Sequence, residues 1–334
     1  MPLDWTPLID LLKRSERPLL MTHVRPDADG LGAQLAIADA LIGMGKKPRV
    51  VIASKLPPRY EFLDPDRSKI ENFYPPGEKF RDCDAIIILD TGTWGQLGDF
   101  GPFMKAFSGP KAVVDHHQTQ DDLGGIALVD TSAEATGRLA FEIIAALGMP
   151  VTSCAANMLF MAIALDTGWF RHPNTTAKTF DLCHQLVQLG ANPTPLYEHL
   201  FESAPIARLK LMGKALERIQ TSANGKIGWT EIYISDYSST GAVPGDTEDL
   251  INYPRSIDGV EVALVFIEQF DGGTKVSFRA RSLVNVADIA ARYGGGGHRL
   301  ASGARLAGPL ADAKAKILAD CEAVLVHAGS GDTK

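Results

Sequence analysis

The apolar run Ala112-Val113-Val114 ends in Asp115-His116-His117, an acid and two imidazoles delivered together at the end of a strand candidate. Such groups can hold a divalent cation, orient one another or face a phosphate. Packing alone gives little reason to place three of them behind a buried strand. The arrangement recurs along the chain. Pro18-Leu19-Leu20-Met21 runs into Thr22-His23-Val24-Arg25-Pro26-Asp27-Ala28-Asp29-Gly30, and Ala85-Ile86-Ile87-Ile88-Leu89 runs into Asp90-Thr91-Gly92. A longer run over 159–165 closes on Asp166-Thr167-Gly168, and its length and alanines suit a buried helix better than a strand. Taken singly, Asp27, Asp29, Asp90 and Asp166 also suit helix caps or turns. Taken with His23 and His116 they are expected to form one site, because ligands in open α/β sheets bind beyond the carboxyl ends of the strands.

Strands expected over 18–23, 48–53, 85–90, 111–115 and 126–130 alternate with helices over 32–44 and 135–147. That alternation reads as an α/β fold, a doubly wound parallel sheet occupying residues 1–190. The proline-rich passage after Gly190 reads as a linker leading into a helix, together spanning 191–220. Residues 221–330 show strands over 226–235, 260–269 and 274–280 and a helix over 284–293, the pattern of a smaller α+β domain. The last residues, 328–334, are expected to fray. The run Gly294-Gly295-Gly296-Gly297 before His298 is expected to be a loop whose backbone N–H groups converge on an anion, with the imidazole adding a donor. Gly30-Leu31-Gly32 does not make a dinucleotide fingerprint, since Leu35 stands where the third glycine belongs.

A chain of 334 residues with 45% hydrophobic composition is long enough for two ordinary cores. Its net charge of −7 argues against tight binding of long duplex DNA, whose affinity comes from many Lys and Arg contacts to phosphate. No window approaches the ~20 apolar residues of a membrane span, and no signal peptide pattern opens the chain, so a cytoplasmic protein without a membrane partner is expected. Cys83, Cys154, Cys183 and Cys321 are scattered without a Cys-x-x-Cys pair, which argues against structural zinc and against a disulfide framework.

Carboxylate and imidazole donors without thiolates suit Mn²⁺ or Mg²⁺. The donors are too many for one ion that keeps waters, but they suit two that share a bridging carboxylate, activate a water and neutralise charge on a phosphoryl group. Asp90, alone on its strand, is the expected bridge. His23, Asp27 and Asp90 would hold the first ion, and Asp29, Asp90, His116 and Asp166 the second. His117 would face the substrate phosphate, with Asp115 orienting an imidazole from behind.

This set of motifs, ending with Gly-Gly-Gly-Gly-His298, resembles the DHH phosphoesterase superfamily with its DHH-associated C-terminal domain, over nearly the whole chain. Within it the sequence is similar to the bacterial nano-RNase and pAp phosphatase branch. The resemblance implies two manganese ions in the division just given. It implies short oligonucleotides and 3′-phosphoadenosine 5′-phosphate (pAp) as substrates, and the two domains facing each other across a cleft. It also implies that Arg279, the glycine loop (Gly295, Gly296, Gly297) and His298 contact a substrate phosphate, and it leaves a homodimer open. Arg171 and Asn174 match a family segment near Asp166 and are expected in a supporting role. Ala280 and Ser302 depart from the branch's usual Ser and Ala. The alternatives are a stand-alone cyclic dinucleotide phosphodiesterase and, from another class, a non-catalytic nucleotide-sensing module. A processive single-strand exonuclease would be expected to carry an extra oligonucleotide-binding domain and a basic channel, and an inorganic pyrophosphatase would lack the glycine-histidine loop.

Overall fold

A computed structural model describes residues 3–222 and 224–329, which divide after Ser203 into two compact units. In the first, the elements in order are α1 (Thr6–Arg14), β1 (Pro18–Met21), α2 (Ala28–Gly43), β2 (Arg49–Ile52), β3 (Ile70–Asn72), β4 (Ala85–Leu89) and α3 (Phe100–Ala106). They continue with β5 (Lys111–Asp115), β6 (Ile126–Val129), α4 (Thr136–Ala146), α5 (Ser153–Asp166), α6 (Ala177–Gln188) and α7 (Pro193–Phe201).

The six strands form one sheet in the order β3-β2-β1-β4-β5-β6, parallel throughout. Strand β1 lies beside β4, with Leu19 opposite Ile86 and Met21 opposite Ile88. The chain winds outward from that pair in both directions, so the carboxyl ends of β1 and β4 flank the switch point where such sheets bind ligands. The continuous apolar runs follow from burial on both faces. Leu20, Ile87, Leu89 and Val114 join the core under α2, α4 and α5, whereas Leu19, Met21, Ile86, Ile88 and Val113 pack against Phe73, Phe80, Phe100 and Met104 on the other face. Among the described residues no helix is long and apolar enough to cross a membrane.

Residues 191–205, expected as a linker, carry helix α7 instead. Asn192 caps its first turn by accepting the Thr194 N–H, and Pro193 occupies a first-turn position that needs no N–H. Leu196 and Leu200 then bury in the first unit's core.

The second unit comprises α8 (Ile206–Glu217), β7 (Gln220–Ser222), β8 (Ile227–Ile232), α9 (Ile234–Thr240), α10 (Asn252–Ser256) and β9 (Val262–Glu268). After these come β10 (Thr274–Ala280), α11 (Val286–Ala291), β11 (Gly296–His298), β12 (Ala301–Leu306) and α12 (Leu310–Gly329). Its sheet runs β11-β12-β10-β9-β8-β7, antiparallel except for β8 beside β9. Phe266, Phe278, Ile289 and Ile317 form one core of this unit, and Leu211, Ile232 and Val265 another. The fraying expected over 328–334 lies, from residue 330 on, outside the described residues, and 328–329 close α12.

The glycine run differs from the expected loop. The N–H groups of Gly294 and Gly295 donate to Ala291 and Ala290 at the end of α11, and the chain then enters β11. A Cβ on Gly295 would stand 2.2 Å from the Gly303 carbonyl, and one on Gly297 would stand 2.6 Å from that of Ala301. Glycine is required by the close approach of β12, so a nest of four free N–H groups is not formed. Ser302, one of the departures from the branch, is buried and donates its hydroxyl to the Val286 carbonyl at 2.8 Å.

Candidate metal centre

The site is assembled from the ends of buried elements. His23 follows β1, Asp90 follows β4, Asp115 ends β5 with His116 and His117 behind it, and Asp166 is the last residue of α5. Asp27 and Asp29 stand at the start of α2, where Asp27 accepts the Asp29 and Gly30 N–H groups at 3.0 and 3.1 Å. Asp27 is therefore a helix cap and a member of the cluster at once. Asp90 has φ 64°, a left-handed conformation that costs a non-glycine residue energy and turns its carboxylate out of the strand line.

The six candidate ligands converge. His23 Nε2 lies 3.4 Å from Asp90 Oδ2 and 3.6 Å from Asp27 Oδ1. His116 Nε2 lies 3.6 Å from Asp90 Oδ1, 3.7 Å from Asp29 Oδ2 and 3.8 Å from Asp166 Oδ2. The two oxygens of Asp90 thus face different imidazoles. Within each of three sets, His23, Asp27, Asp90, then Asp29, His116, Asp166, and also Asp90, His116, His117, the donor atoms lie within 4.8 Å of one another.

The imidazoles are oriented from behind by carbonyls. His23 Nδ1 is 3.0 Å from the Val24 carbonyl and His116 Nδ1 is 3.2 Å from that of Ala133. A carbonyl can only accept, so each Nδ1 carries a proton and each Nε2 is the atom turned to the carboxylates. His116 Nε2 is buried and has no hydrogen-bond partner. A buried ring nitrogen turned toward three carboxylate oxygens is a donor set that a hard or borderline cation completes.

Four acids in so small a volume cannot all ionise without compensation. Burial, then the charges of Asp90, Asp166 and Asp27, push Asp29 well above the usual carboxylate range. Burial likewise raises Asp166 to about 6, against the pull of His116. Burial opposes a charge on His23, yet Asp27 and Asp90 push its pKa up to about 11.

His117, whose Nδ1 is 3.8 Å from Asp90 Oδ1, is more exposed than the two other imidazoles, with 48% of its side chain accessible. Its Nδ1 donates to Asp115 Oδ1 at 2.8 Å, and that hydrogen bond, opposed by burial, raises it to about 9. Asp115 is fully buried, and its Oδ2 accepts from Gln120 Nε2 at 2.6 Å. The same amide reaches the His117 carbonyl at 3.0 Å.

Sequence reasoning missed Gln120, Thr136, Gly137 and Tyr60. Gln120 shares a turn with His117, a signal open to reading. Thr136 and Gly137 belong to a helix start whose contacts are set by the fold. Tyr60 lines a cavity of about 120 Å³ with Asp27, Ala28, Asp29, Leu165 and Asp166, and nothing near it in the chain marks it out. Asn174 donates to the carbonyls of Glu134 (3.0 Å) and Asp166 (3.4 Å), whereas Arg171 only closes its own turn on the Gly168 carbonyl.

In the second unit, Arg279 is half-buried on β10 and donates to the Phe278 carbonyl at 3.1 Å. Burial and the charge of Arg255 hold its pKa below the usual guanidinium range, with Asp249 opposing. His298 is exposed on β11.

A DHH family N-terminal domain profile matches residues 18–163, and a DHHA1 domain profile matches 232–326. The chain belongs to the DHH family of phosphoesterases, with a DHHA1 domain in its second part. Over 96% of its length it is 30% identical to a Thermus thermophilus protein named bifunctional oligoribonuclease and PAP phosphatase NrnA, and it covers 94% of that chain. A Bacillus subtilis protein of the same name is 28% identical, with 95% of this chain and 97% of that one aligned. The crystal structure of an exopolyphosphatase-related protein from Bacteroides fragilis, 21% identical, has the same fold, with a TM-score of 0.89 over 97% of this chain and 98% of that one.

Proposed function

We propose that this phosphoesterase is a two-metal hydrolase that releases mononucleotides from dinucleotides and slightly longer oligonucleotides and removes the 3′-phosphate of pAp, with Mn²⁺ as its preferred ion. Residues 1–190 would be the catalytic part and 221–330 the substrate-binding part, joined through 191–220. The observation that carries the reading is the buried, unpartnered His116 Nε2 turned toward Asp29, Asp90 and Asp166. The names of the relatives from Thermus thermophilus and Bacillus subtilis favour these substrates.

His23, Asp27 and Asp90 would hold one ion, and Asp29, Asp90, His116 and Asp166 the other. Two divalent ions supply activation of water and Lewis-acid polarisation of the phosphoryl group. His117, raised to about 9, is charged at neutral pH and offers an N–H to a phosphoryl oxygen, where it offsets charge gained in the transition state. Asp115 and Gln120 hold that ring in one orientation. Arg279, with few compensating charges, and His298 would bind a second phosphate or the substrate's end.

The test is purified protein with Mn²⁺ offered a linear dinucleotide, pAp, cyclic di-AMP, pyrophosphate and a longer single strand. Turnover of the dinucleotide and pAp above the rest, abolished by EDTA, is the expected result. Preference for cyclic di-AMP would identify a cyclic dinucleotide phosphodiesterase, and no turnover of any substrate would leave a sensing module.

A further inference from the structure

We propose that Ala133–Gly137, with Thr136 as its principal positioning residue, presets the half of the centre formed by Asp29, Asp90, His116 and Asp166. The inference rests on the two-ion reading above. Thr136 is fully buried and makes two contacts with different acids: its N–H donates to Asp29 Oδ2 at 2.7 Å and its hydroxyl donates to Asp90 Oδ1 at 3.0 Å. The Gly137 N–H reaches the other oxygen of Asp29, also at 2.7 Å. The Ala133 carbonyl accepts a hydrogen bond from the His116 Nδ1–H, and the Glu134 carbonyl accepts from Asn174, whose amide also reaches the Asp166 carbonyl. Three of the four donor side chains are therefore tied directly to one short segment, and the main chain of the fourth, Asp166, is tied to it through Asn174.

The physical effect is specific to the ionised, oriented state. Two N–H groups at the start of α4 stabilise the Asp29 carboxylate by hydrogen bonding and by the helix dipole, against the burial that favours its neutral form. The Thr136 hydroxyl holds a carboxylate whose backbone is in an unfavourable left-handed conformation, so Asp90 has one orientation rather than several. Gly137 permits this: a Cβ there would stand 2.6 Å from the Ala162 Cβ, forcing α4 away from α5. The segment is itself fixed, since buried Glu134 pairs with Arg138, which also donates to the Lys178 carbonyl. His23 and Asp27 are braced by different groups, the Val24 carbonyl and the N–H groups of Asp29 and Gly30. The halves share Asp90, but the Thr136 hydroxyl holds Oδ1, the oxygen turned to His116, whereas Oδ2 is turned to His23, so loss of that hydroxyl should fall mainly on the ion beside His116.

Thr136→Val keeps the shape and removes the hydroxyl, and Thr136→Ser restores it. Mn²⁺ titration calorimetry without substrate, with electron paramagnetic resonance to detect a spin-coupled pair, reads the outcome independently of turnover. The wild-type protein should take up two ions. Thr136→Val should bind the ion beside Asp29, His116 and Asp166 roughly 10- to 100-fold more weakly, as loss of outer-sphere partners usually does, and weaken the ion beside His23 and Asp27 by a clearly smaller factor. Thr136→Ser should recover both. Should Thr136→Val unfold, as judged by circular dichroism, Asn174→Ala removes only the tie to Asp166 from an exposed position and should weaken the same ion by a smaller factor. Two ions bound as in the wild type by the folded variant, or equal weakening of both, would overturn the inference. A wild-type protein that takes up one ion or none would instead overturn the two-ion reading beneath it, whatever the variants do.

Discussion

The two halves of the carboxylate–imidazole centre are held by different means. His23 and Asp27 belong to the loop after β1 and are braced by that loop and by the start of α2, so their geometry is local. Asp29, His116 and Asp166 come from three separated parts of the chain and are brought into register by a fourth, the start of α4. Asp90 stands between, one oxygen turned to each imidazole. A locally built half survives changes in packing, whereas a half assembled over long range depends on how α4 and α5 sit on the sheet.

Breaking the shared member should have the largest effect. Asp90→Ala removes a donor from both halves, so Mn²⁺-dependent hydrolysis should fall at least roughly a thousandfold, in the range seen when a transition-state electrostatic group is lost. Full activity would show that the halves do not need a common carboxylate. His117→Ala lies outside both halves: turnover should fall about 10²- to 10⁴-fold while calorimetry still finds two ions, the scale of losing a group that donates a proton or a charged hydrogen bond.

Metal uptake should also depend on pH. Asp166 titrates at about 6 in the metal-free protein, so below that it holds a proton an ion must displace, and above it does not. Occupancy of the half containing Asp166 should therefore drop as pH falls through about 6. His23, at about 11, must release a proton at any pH near neutral, so uptake into its half should acidify an unbuffered solution. Uptake without proton release would contradict the ligand assignment. The smallest change is expected from Arg279→Ala in the second unit. KM for the dinucleotide should rise about tenfold, in keeping with one lost charge-assisted hydrogen bond, while Mn²⁺ stoichiometry stays the same.

The contrast between the halves also explains what could be read in the sequence. The strands were legible because a sheet covered on both faces requires continuous apolar runs, and the acids were legible because they end those runs. Thr136 was not, since it meets Asp29 and Asp90 across 107 and 46 residues of chain and a lone Ala-Thr-Gly looks like any helix start. For the glycine run, the sequence shows that backbone freedom is available but not what uses it. Strand β12, lying where the side chains of Gly295 and Gly297 would be, uses it here. Helix α7 was within reach, because Asn192 before Pro193 is a capping pattern, although it stands among prolines that also suit a linker.

The central claim is that Asp90 joins two ion sites, and anomalous diffraction at the manganese edge from crystals grown with Mn²⁺ tests it most directly. Two peaks are expected, one beside His23 and Asp27 and one beside Asp29, His116 and Asp166, with a different oxygen of Asp90 on each. A single peak, or two peaks with Asp90 on neither or only one, would contradict it.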